Sequence, residues 1–402
     1  MIEEKYMLQR QRLLTPGPTP IPTEVRLAMA GEMIHHRKSV FKEVLHKVRG
    51  QLQILFGSSL PVLPLSCSGT GAMTAAVFCL FAPGETVLVA EAGFFGRRWR
   101  EIAESRGLNV VSFSADWGRA IDPGAVKKIL DEQPAIRGVL IQLSETSTGV
   151  LHPVEEIARF TRQRDMLLLV DGISAVGISP CPMDAWGIDC LLTGSQKGLM
   201  CPPGLSLIAL SPRAWEKAAA VPDGCFYFNL IKERENLEKD QTYFTSPVSL
   251  ILGLQASLDR MLSYGLEAVY RKQWALTMMA RTGIRSLGLQ AFAPTQYTWG
   301  LTSVRLPVGV DGAEILRRMA QDYGVIMAGG QEQLKGRIVR IGHMGWVDWA
   351  DLAAGIHALA EALRACNGYT AAHDYLESSL AAYRAALTGL PGMEPDLPGI
   401  RA

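Results

Sequence analysis

The sequence predicts an α/β fold: a mostly parallel, seven-stranded sheet with helices on both faces, followed by a smaller C-terminal α+β domain. Three observations support this prediction. Seven short apolar runs recur between about residues 60 and 210, helical patterns separate several of them, and after Thr245 the chain changes to longer helices with a few strands. Strands that alternate with helices are typical of βαβ units, which build parallel sheets.

The apolar runs are candidate buried strands because each is short and continuous. In chain order they are PVLPL, TVLVA, VVSFS, GVLIQL, MLLLV, DCLLTG and LSLIAL. Helical patterns lie between several of them, at residues 97–106, 123–132 and 154–164. This alternation predicts that helices cover both faces of the sheet.

The later part of the chain predicts a second unit. Helical patterns over 250–264 and 266–287 precede the strand candidates TSVRLPV, GVIMAG and RIVRIG. A final helix carries Leu352, Ile356, Leu359 and Leu363 on one face. The expected division is an N-terminal arm joining the small domain, a large domain, a small C-terminal domain and an irregular tail, at residues 1–20, 21–260, 261–388 and 389–402.

Composition excludes several classes of function. Lys and Arg number 40 and Asp and Glu 39, which leaves a net charge of +1 and no excess for binding nucleic acid. The stretch MIEEKYMLQRQRLL lacks the apolar core of a secretory signal, and no apolar run approaches the roughly 18 residues of a membrane span. Seven scattered cysteines indicate neither a disulfide framework nor a metal site. A cytoplasmic location is expected.

The segment SCSGTGAM (66–73) is a candidate phosphate site. It follows the run PVLPL and precedes an apolar helical stretch, so Ser68, Gly69 and Thr70 occupy a strand-to-helix turn. Backbone N–H groups at a helix start bind phosphate, and glycine permits close approach of the anion. An ordinary tight turn remains an alternative at this point.

Two further positions carry chemistry. Asp171 ends the run MLLLV, at the carboxyl edge of the sheet where open α/β folds hold ligands. Lys197 follows DCLLTG in a loop of small residues, which favours a partly desolvated amine with a lowered pKa. Asp171 could instead cap a turn, and many lysines are solvated. A phosphate cradle, a carboxylate and a lysine together point to pyridoxal 5′-phosphate.

With this cofactor in view, the sequence resembles the class V (fold type I) pyridoxal-phosphate-dependent aminotransferases, close to the alanine:glyoxylate and serine:pyruvate group. The matching stretches run in order between residues 13 and 364. They are LLTPGPTPIP, HHRKSVF, SGTGAM, GFFGRRW, ETSTGV, LLVDGISAVG, GIDCLLTGSQKGL, PPGL, TYFT and KGRIVRIGHMG. The resemblance implies the pyridoxal-phosphate-dependent transferase fold of type I.

The resemblance also implies roles for individual residues. Lys197 would form the Schiff base with the cofactor, and Asp171 would pair with the ring nitrogen. Ser68, Gly69, Thr70 and Gln196 would hold the phosphate. Phe95 would stack on the ring, and Thr146 would bond the ring hydroxyl, although a core aromatic and a turn threonine remain alternatives for this pair.

Other implied roles concern the substrate and a second subunit. Arg340 would grip the substrate carboxylate, and Gly17 would approach the substrate through its backbone. Thr242 and Thr245 would reach the phosphate of the neighbouring subunit, which implies a homodimer with shared active sites. His36 and Arg37 match a family pair near the entrance, where a packing or salt-bridge role stays open.

The expected activity is transfer of an amino group from a small amino acid, such as alanine or serine, to a small 2-oxo acid, such as glyoxylate or pyruvate. Two alternatives stay open. One is a subunit of a larger, hydrogenase-associated assembly with the same fold. The other is a class V lyase or desulfurase, which is disfavoured because a desulfurase needs a cysteine on a late mobile loop. The only cysteine after Cys225 is Cys366, on the last predicted helix.

Overall fold

The computed structural model describes residues 10–221, 225–367, 369 and 374–388. The predicted tail (389–402) and the first nine residues of the predicted arm lie outside the described residues. The strands are β1 Arg12–Leu13, β2 Val62–Leu65, β3 Thr86–Glu91, β4 Asn109–Ser114, β5 Ile136–Gln142, β6 Ser144–Glu145, β7 Val150–Leu151, β8 Leu167–Asp171, β9 Cys190–Gly194, β10 Ser206–Leu210, β11 Gln290–Ala291, β12 Leu301–Arg305, β13 Val325–Ile326, β14 Ala328–Gly329 and β15 Ile338–Gly342.

The helices cover most of the remaining described chain. They are α1 Thr23–Met29, α2 Ser39–Phe56, α3 Gly69–Leu80, α4 Phe94–Ser105, α5 Pro123–Glu132, α6 Val154–Gln163, α7 Met183–Trp186, α8 Pro212–Ala220, α9 Leu230–Leu237, α10 Val248–Tyr264, α11 Leu266–Ser286, α12 Gly312–Tyr323, α13 Trp349–Asn367 and α14 Tyr375–Thr388, with a 3₁₀ turn at Glu332–Leu334. Within the described ranges, no helix combines the length and apolarity needed to cross a membrane.

The central sheet has seven strands in the order β2-β10-β9-β8-β5-β3-β4. Only β10 runs antiparallel to its neighbours, β2 and β9, and the other pairs are parallel. All seven predicted strands are therefore confirmed, as is the mostly parallel sheet. Their carboxyl ends bring the loops after β2, β8 and β9 to one edge, where the candidate site lies.

Both faces of this sheet are buried, which explains the continuous apolar runs. Along β8, Leu168 and Val170 pack into the core on one face, and Leu167 and Leu169 pack into the core on the other. One core also contains residues of α2, α6 and α10, and the other contains residues of α3, α4 and α8. The period-two alternation of the strand side chains produces these two layers.

A four-stranded antiparallel sheet, in the order β11-β12-β15-β14, lies in the later part of the chain. Its core includes apolar residues of α11, α12 and α13. The first strand of the chain joins this region, because β1 pairs in parallel with β13 and the fully buried Leu14 packs in the same core.

The structure differs from the sequence predictions in two places. The predicted strand GVIMAG is two short strands, β13 and β14, which pair with different partners. The helix through Leu363 is not the last, since α14 follows and packs against α11. Small residues, Ser379 and Ala386, are the buried positions of α14. Because they carry little apolar surface, they leave only a weak amphipathic pattern in the sequence.

Candidate active site

Lys197 lies in the loop after β9, against the N-terminal stretch of the chain. Its Nζ donates to the carbonyl of Pro16, and its own carbonyl accepts from Thr19 Oγ1 at 3.0 Å. Gly17 has φ +119°, and a Cβ there would lie 2.6 Å from Lys197 Nζ. Only glycine therefore fits beside the amine, which places Gly17 next to Lys197.

The amine of Lys197 is desolvated, as the sequence predicts. The residue is 9% exposed. Burial lowers its pKa to about 8, with the charge of Arg340 adding to the effect and that of Asp171 opposing it. A substantial fraction of the amine is therefore unprotonated near neutral pH, which is the form that attacks a carbonyl.

Asp171 ends β8 and is 4% exposed. Its Oδ1 accepts from the backbone N–H of Ile173 at 2.8 Å. Burial raises its pKa to about 7, and Asp171 forms no ion pair within the described residues. A buried carboxylate without a direct ion-pair partner is costly. The site therefore favours a ligand that brings a positive charge or an N–H group to Asp171.

The loop after β2 leads into the start of α3, where the sequence predicts a phosphate cradle. Ser68 precedes the helix in an extended conformation, and its side chain does not cap the helix. A Cβ on Gly69 would lie 2.3 Å from Ile173 Cδ1, so the chain approaches closely here. Without a side-chain cap, the first N–H groups of α3 are free to bind an anion.

Thr70 and Gln196 are the other two predicted phosphate ligands. Thr70 Oγ1 accepts from Arg98 Nη1 at 3.0 Å, which brings a guanidinium to the turn. Gln196 Oε1 is buried without a hydrogen-bond partner. Because an amide can be rotated to exchange its donor and acceptor ends, Gln196 retains hydrogen-bonding capacity for a ligand.

Glu145 forms hydrogen bonds to the segment around Phe95, and the sequence analysis assigned it no role. It is fully buried and accepts from Ser147 Oγ at 2.6 Å and from the Gly96 N–H at 3.0 Å. The Glu145 carboxylate therefore lies at the N-terminus of α4. There it stabilises the first turn of the helix, which contains Phe95. Phe95 is half-buried, with the Arg98 guanidinium 5.0 Å from its ring centre.

Arg340 lies in the middle of β15 and is 7% exposed. Its Nε donates to the Gly329 carbonyl at 2.9 Å, and its Nη1 donates to the Thr146 carbonyl at 3.0 Å. Nη2 makes no hydrogen bond within the described chain. Two bonds thus fix a guanidinium that keeps donors for a carboxylate.

Thr146 connects several parts of the site. Besides its carbonyl bond to Arg340, its hydroxyl lies 2.6 Å from Ser174 Oγ, and the residue is 6% exposed.

Burial lowers the pKa of Arg340 to about 10, and the charge of Glu145 opposes this effect. The carboxylates and cations of the site therefore influence one another's protonation.

The TYFT segment forms a loop held by charged residues. Glu233 Oε2 accepts from the Tyr243 N–H at 3.1 Å, and Arg37 Nη1 donates to the Thr242 carbonyl at 3.0 Å. Thr242 is buried and its hydroxyl donates to the Phe244 carbonyl at 2.7 Å, whereas Thr245 is exposed. Arg37 therefore has a positioning role, which the sequence left open.

Comparison with known proteins agrees with this arrangement. The sequence profile of the family Aminotransferase class-V matches residues 14–345. The chain is 37% identical over 369 residues to a protein named the small subunit of a soluble hydrogenase, from Synechococcus sp., covering 90% of this chain and 95% of that protein. It is 33% identical over 366 residues to the L-aspartate–glyoxylate aminotransferase of Paracoccus denitrificans, covering 89% and 92%.

Among solved structures, the ureidoglycine–glyoxylate aminotransferase of Bacillus subtilis superposes with a TM-score of 0.90 at 25% identity. That likeness covers 93% of this chain and 98% of the other. It confirms the predicted transferase fold of type I. With a profile that spans most of the chain and relatives above 30% identity, the chain belongs to the class V aminotransferase family.

Proposed function

We propose that this aminotransferase uses pyridoxal 5′-phosphate to move the amino group of a small amino acid to glyoxylate or pyruvate. The observation that carries the proposal is the pair of buried groups at neighbouring strand ends, Lys197 with a lowered pKa and Asp171 with a raised pKa and no ion pair. Titratable groups whose pKa values are shifted in a cleft are typical of catalytic sites.

The residues present fit this cofactor. The uncapped start of α3, with Ser68, Gly69 and Thr70, would hold the phosphate together with Gln196. Phe95 would cover the ring, Thr146 would bond its hydroxyl, and Asp171 would face its nitrogen. Gln196 Oε1, which has no hydrogen-bond partner, and the Asp171 carboxylate, which has no ion-pair partner in the described chain, are groups that such a ligand would satisfy.

When bound, pyridoxal phosphate supplies an aldehyde that carries the amino group and a ring that accepts electrons. The chain supplies the other elements of the reaction. The Lys197 amine holds and moves a proton at the substrate Cα. Asp171 stabilises a positive charge on the ring nitrogen that it faces. Arg340 orients the carboxylate of the substrate, and the backbone of Gly17 lies beside the Lys197 amine.

The activity is tested by incubating alanine, serine and aspartate separately with glyoxylate, and serine and aspartate separately with pyruvate. Formation of glycine or alanine, with loss of the donor, is expected for at least one pair. Glyoxylate appears in the printed names of two of the relatives above, which supports it as acceptor. No transfer from any donor in the presence of pyridoxal phosphate would contradict the proposal.

Substitution of Arg340 tests the carboxylate site. Lysine keeps the charge but loses the planar fork, so Arg340→Lys should raise KM for both amino and oxo acids about tenfold or more. Arg337→Lys is the matched control, because Arg337 is exposed just before the same strand. Equal effects of the two substitutions, or equal turnover of ethylamine and alanine by the wild type, would show that Arg340 is structural.

A homodimer with shared active sites is the proposed assembly, in which the exposed Thr245 would reach the cofactor phosphate of the neighbouring subunit. Thr245→Ala should weaken cofactor binding by about 1–3 kcal/mol, the cost of removing a donor from a charged acceptor. Fluorescence titration with pyridoxal phosphate measures this affinity.

Mixed dimers decide whether Thr245 acts across the interface. If it does, a dimer of one Lys197→Ala subunit and one Thr245→Ala subunit contains one intact site, with wild-type cofactor affinity. If Thr245 acts within its own subunit, the only active site in that dimer is the weakened one. A fully active monomer would also contradict the shared site.

The relative named as a hydrogenase subunit supports a second candidate, a subunit of a larger assembly. Purification from the native source distinguishes the two: a stable foreign subunit favours the assembly, and a yellow homodimer favours the free enzyme.

The desulfurase alternative has no support here, because Cys366 lies near the end of α13 and packs against the core of the small sheet.

The remaining proposals concern organisation and location. We propose the division into an arm (1–20), a large domain (21–260), a small domain (261–388) and a tail (389–402). The pairing of β1 with β13 supports an arm that belongs with the small domain. A cytoplasmic location is proposed from the seven cysteines, none of which forms a disulfide within the described chain.

A further inference from the structure

A cavity of about 580 Å³ lies at the junction of the two sheets. Four arginines line it: Arg119, Arg281, Arg285 and Arg305, named here the arginine cavity. None of the proposed active-site residues lines it. Its volume lies within the range of small-molecule sites.

The four arginines come from three separate parts of the fold. Arg119 is in the loop that follows β4 of the large sheet, Arg305 ends β12 of the small sheet, and Arg281 and Arg285 lie on α11. Arg281 and Arg285 are four residues apart, so they occupy one face of the helix. Three-dimensional folding, and not one charged run, therefore gathers these cations.

No carboxylate balances these charges. The cavity has no acidic side chain in its lining, and none of the four guanidiniums forms an ion pair within the described residues. Two like charges at positions i and i+4 of a helix destabilise it. A cleft lined by charges of one sign also concentrates a positive potential. An anion in the cavity would relieve this repulsion.

Two of the guanidiniums are held in place by neutral neighbours. Arg281 donates to the carbonyls of Ala293 and Pro294 at 3.1 and 2.9 Å, and its guanidinium lies 3.5 Å from the centre of the Tyr297 ring. Arg305 lies 4.4 Å from the centre of the Phe292 ring. Carbonyls and rings orient these groups without neutralising them, which is the arrangement expected of a preformed anion site.

The rest of the lining is apolar and fits an organic body. The lining also includes Trp117, Ile284, Leu289, Ala291 and Pro294. Inorganic phosphate would leave this surface uncovered. A planar or apolar group joined to a phosphate would cover it and contribute hydrophobic binding energy.

We propose that the arginine cavity binds a small organic phosphate of nucleotide size, with its phosphates on the four guanidiniums and its body on the apolar lining. The ligand would contact both the loop after β4 and α11. It would therefore bridge the sheet that carries Asp171 and the sheet that carries Arg340.

The proposal is tested by calorimetric titration of the full chain with ATP at low salt. The variants are Arg285→Ala, Arg305→Ala and their combination, since both side chains are exposed. Each single change should raise Kd about tenfold, and the double change about a hundredfold. Melting temperatures no lower than that of the wild type would verify that the variants are folded.

Arg26→Ala is the matched control. Arg26 is exposed on a helix and donates to Thr23, three residues earlier, as Arg285 donates to Thr282. It should leave Kd unchanged. ATP binding that survives the double substitution would place the ligand elsewhere, for instance at the cradle near Gly69, and would overturn the proposal.

Three further probes define the ligand. Adenosine should not bind, and tripolyphosphate should bind about tenfold more weakly than ATP because it lacks the organic body. Citrate tests the phosphate preference: citrate binding as tight as that of ATP would overturn the assignment to phosphate. Absence of ATP binding at millimolar concentration and low salt would overturn the site itself.

Discussion

Replacement of Lys197 by alanine should reduce transamination by about 10⁴-fold or more, because one side chain provides both the covalent attachment and the proton transfer. The variant should still bind pyridoxal phosphate, since the start of α3, Gln196 and Asp171 remain. In the wild type, borohydride should fix the cofactor to the peptide that contains Lys197. Mass spectrometry of the digested protein locates the label.

Lys272 provides a matched control for this experiment. It is a second lysine whose pKa burial lowers to about 8, and its Nζ donates to the Gly345 carbonyl at 3.0 Å. If a lowered pKa were sufficient, Lys272 would be labelled as well. We expect label on Lys197 alone, because Lys197, unlike Lys272, interacts with Asp171. Label on Lys272 instead, or activity in Lys197→Ala, would contradict the assignment.

The sequence predicts the central sheet well because every strand of it except the edge strand β4 is buried on both faces. Such strands are continuous apolar runs, and their ends are visible where polar or small residues begin. Asp171 ends one run, and the loop with Lys197 follows another. In a parallel sheet these ends meet at one edge, so their proximity could be predicted before any contact was known.

The contacts that hold the site together could not be predicted from local pattern. Glu145 binds the start of α4 and Arg37 binds the TYFT loop, through contacts between residues far apart in the sequence. Glu233 also holds that loop, from ten residues before Tyr243. Glu233 sits in the charged stretch KERENLEKD but is only 7% exposed. Charge patterning assigns such a residue to solvent, and only its partner, the N–H of Tyr243, explains its burial.

The second large effect is expected at Asp171, where activity and stability should change in opposite directions. Asp171→Asn removes the negative charge opposite the ring nitrogen, so turnover should fall about 10²- to 10³-fold, the usual loss for one electrostatic partner at an active site. Cofactor binding should also weaken. The same change should stabilise the protein that contains no cofactor.

The sign follows from the pKa of Asp171, which burial raises from 3.8 to about 7 in the folded chain. Between these values the folded chain keeps a proton that the unfolded chain has lost, so wild-type stability falls as pH rises from about 4 to about 7. Asparagine does not titrate. The variant without cofactor should therefore be more stable than the wild type over this window. Above pH 7 its free energy of unfolding should be higher by roughly a few kcal/mol.

Asp189 is the control that separates a charge without a partner from one that is paired. It is 2% exposed, but it accepts from Arg213 Nη2 and from Ser211 Oγ, each at 2.7 Å. Asp189→Asn should therefore destabilise the chain by about 1–3 kcal/mol, because it removes the buried ion-pair partner of Arg213 and leaves that guanidinium only the exposed Asp165. Urea unfolding of both variants at pH 5 and pH 8 measures the contrast. If Asp171→Asn destabilises the cofactor-free protein at pH 8 as Asp189→Asn does, then Asp171 already has a partner within the chain, and a cofactor ring is not needed to explain its burial.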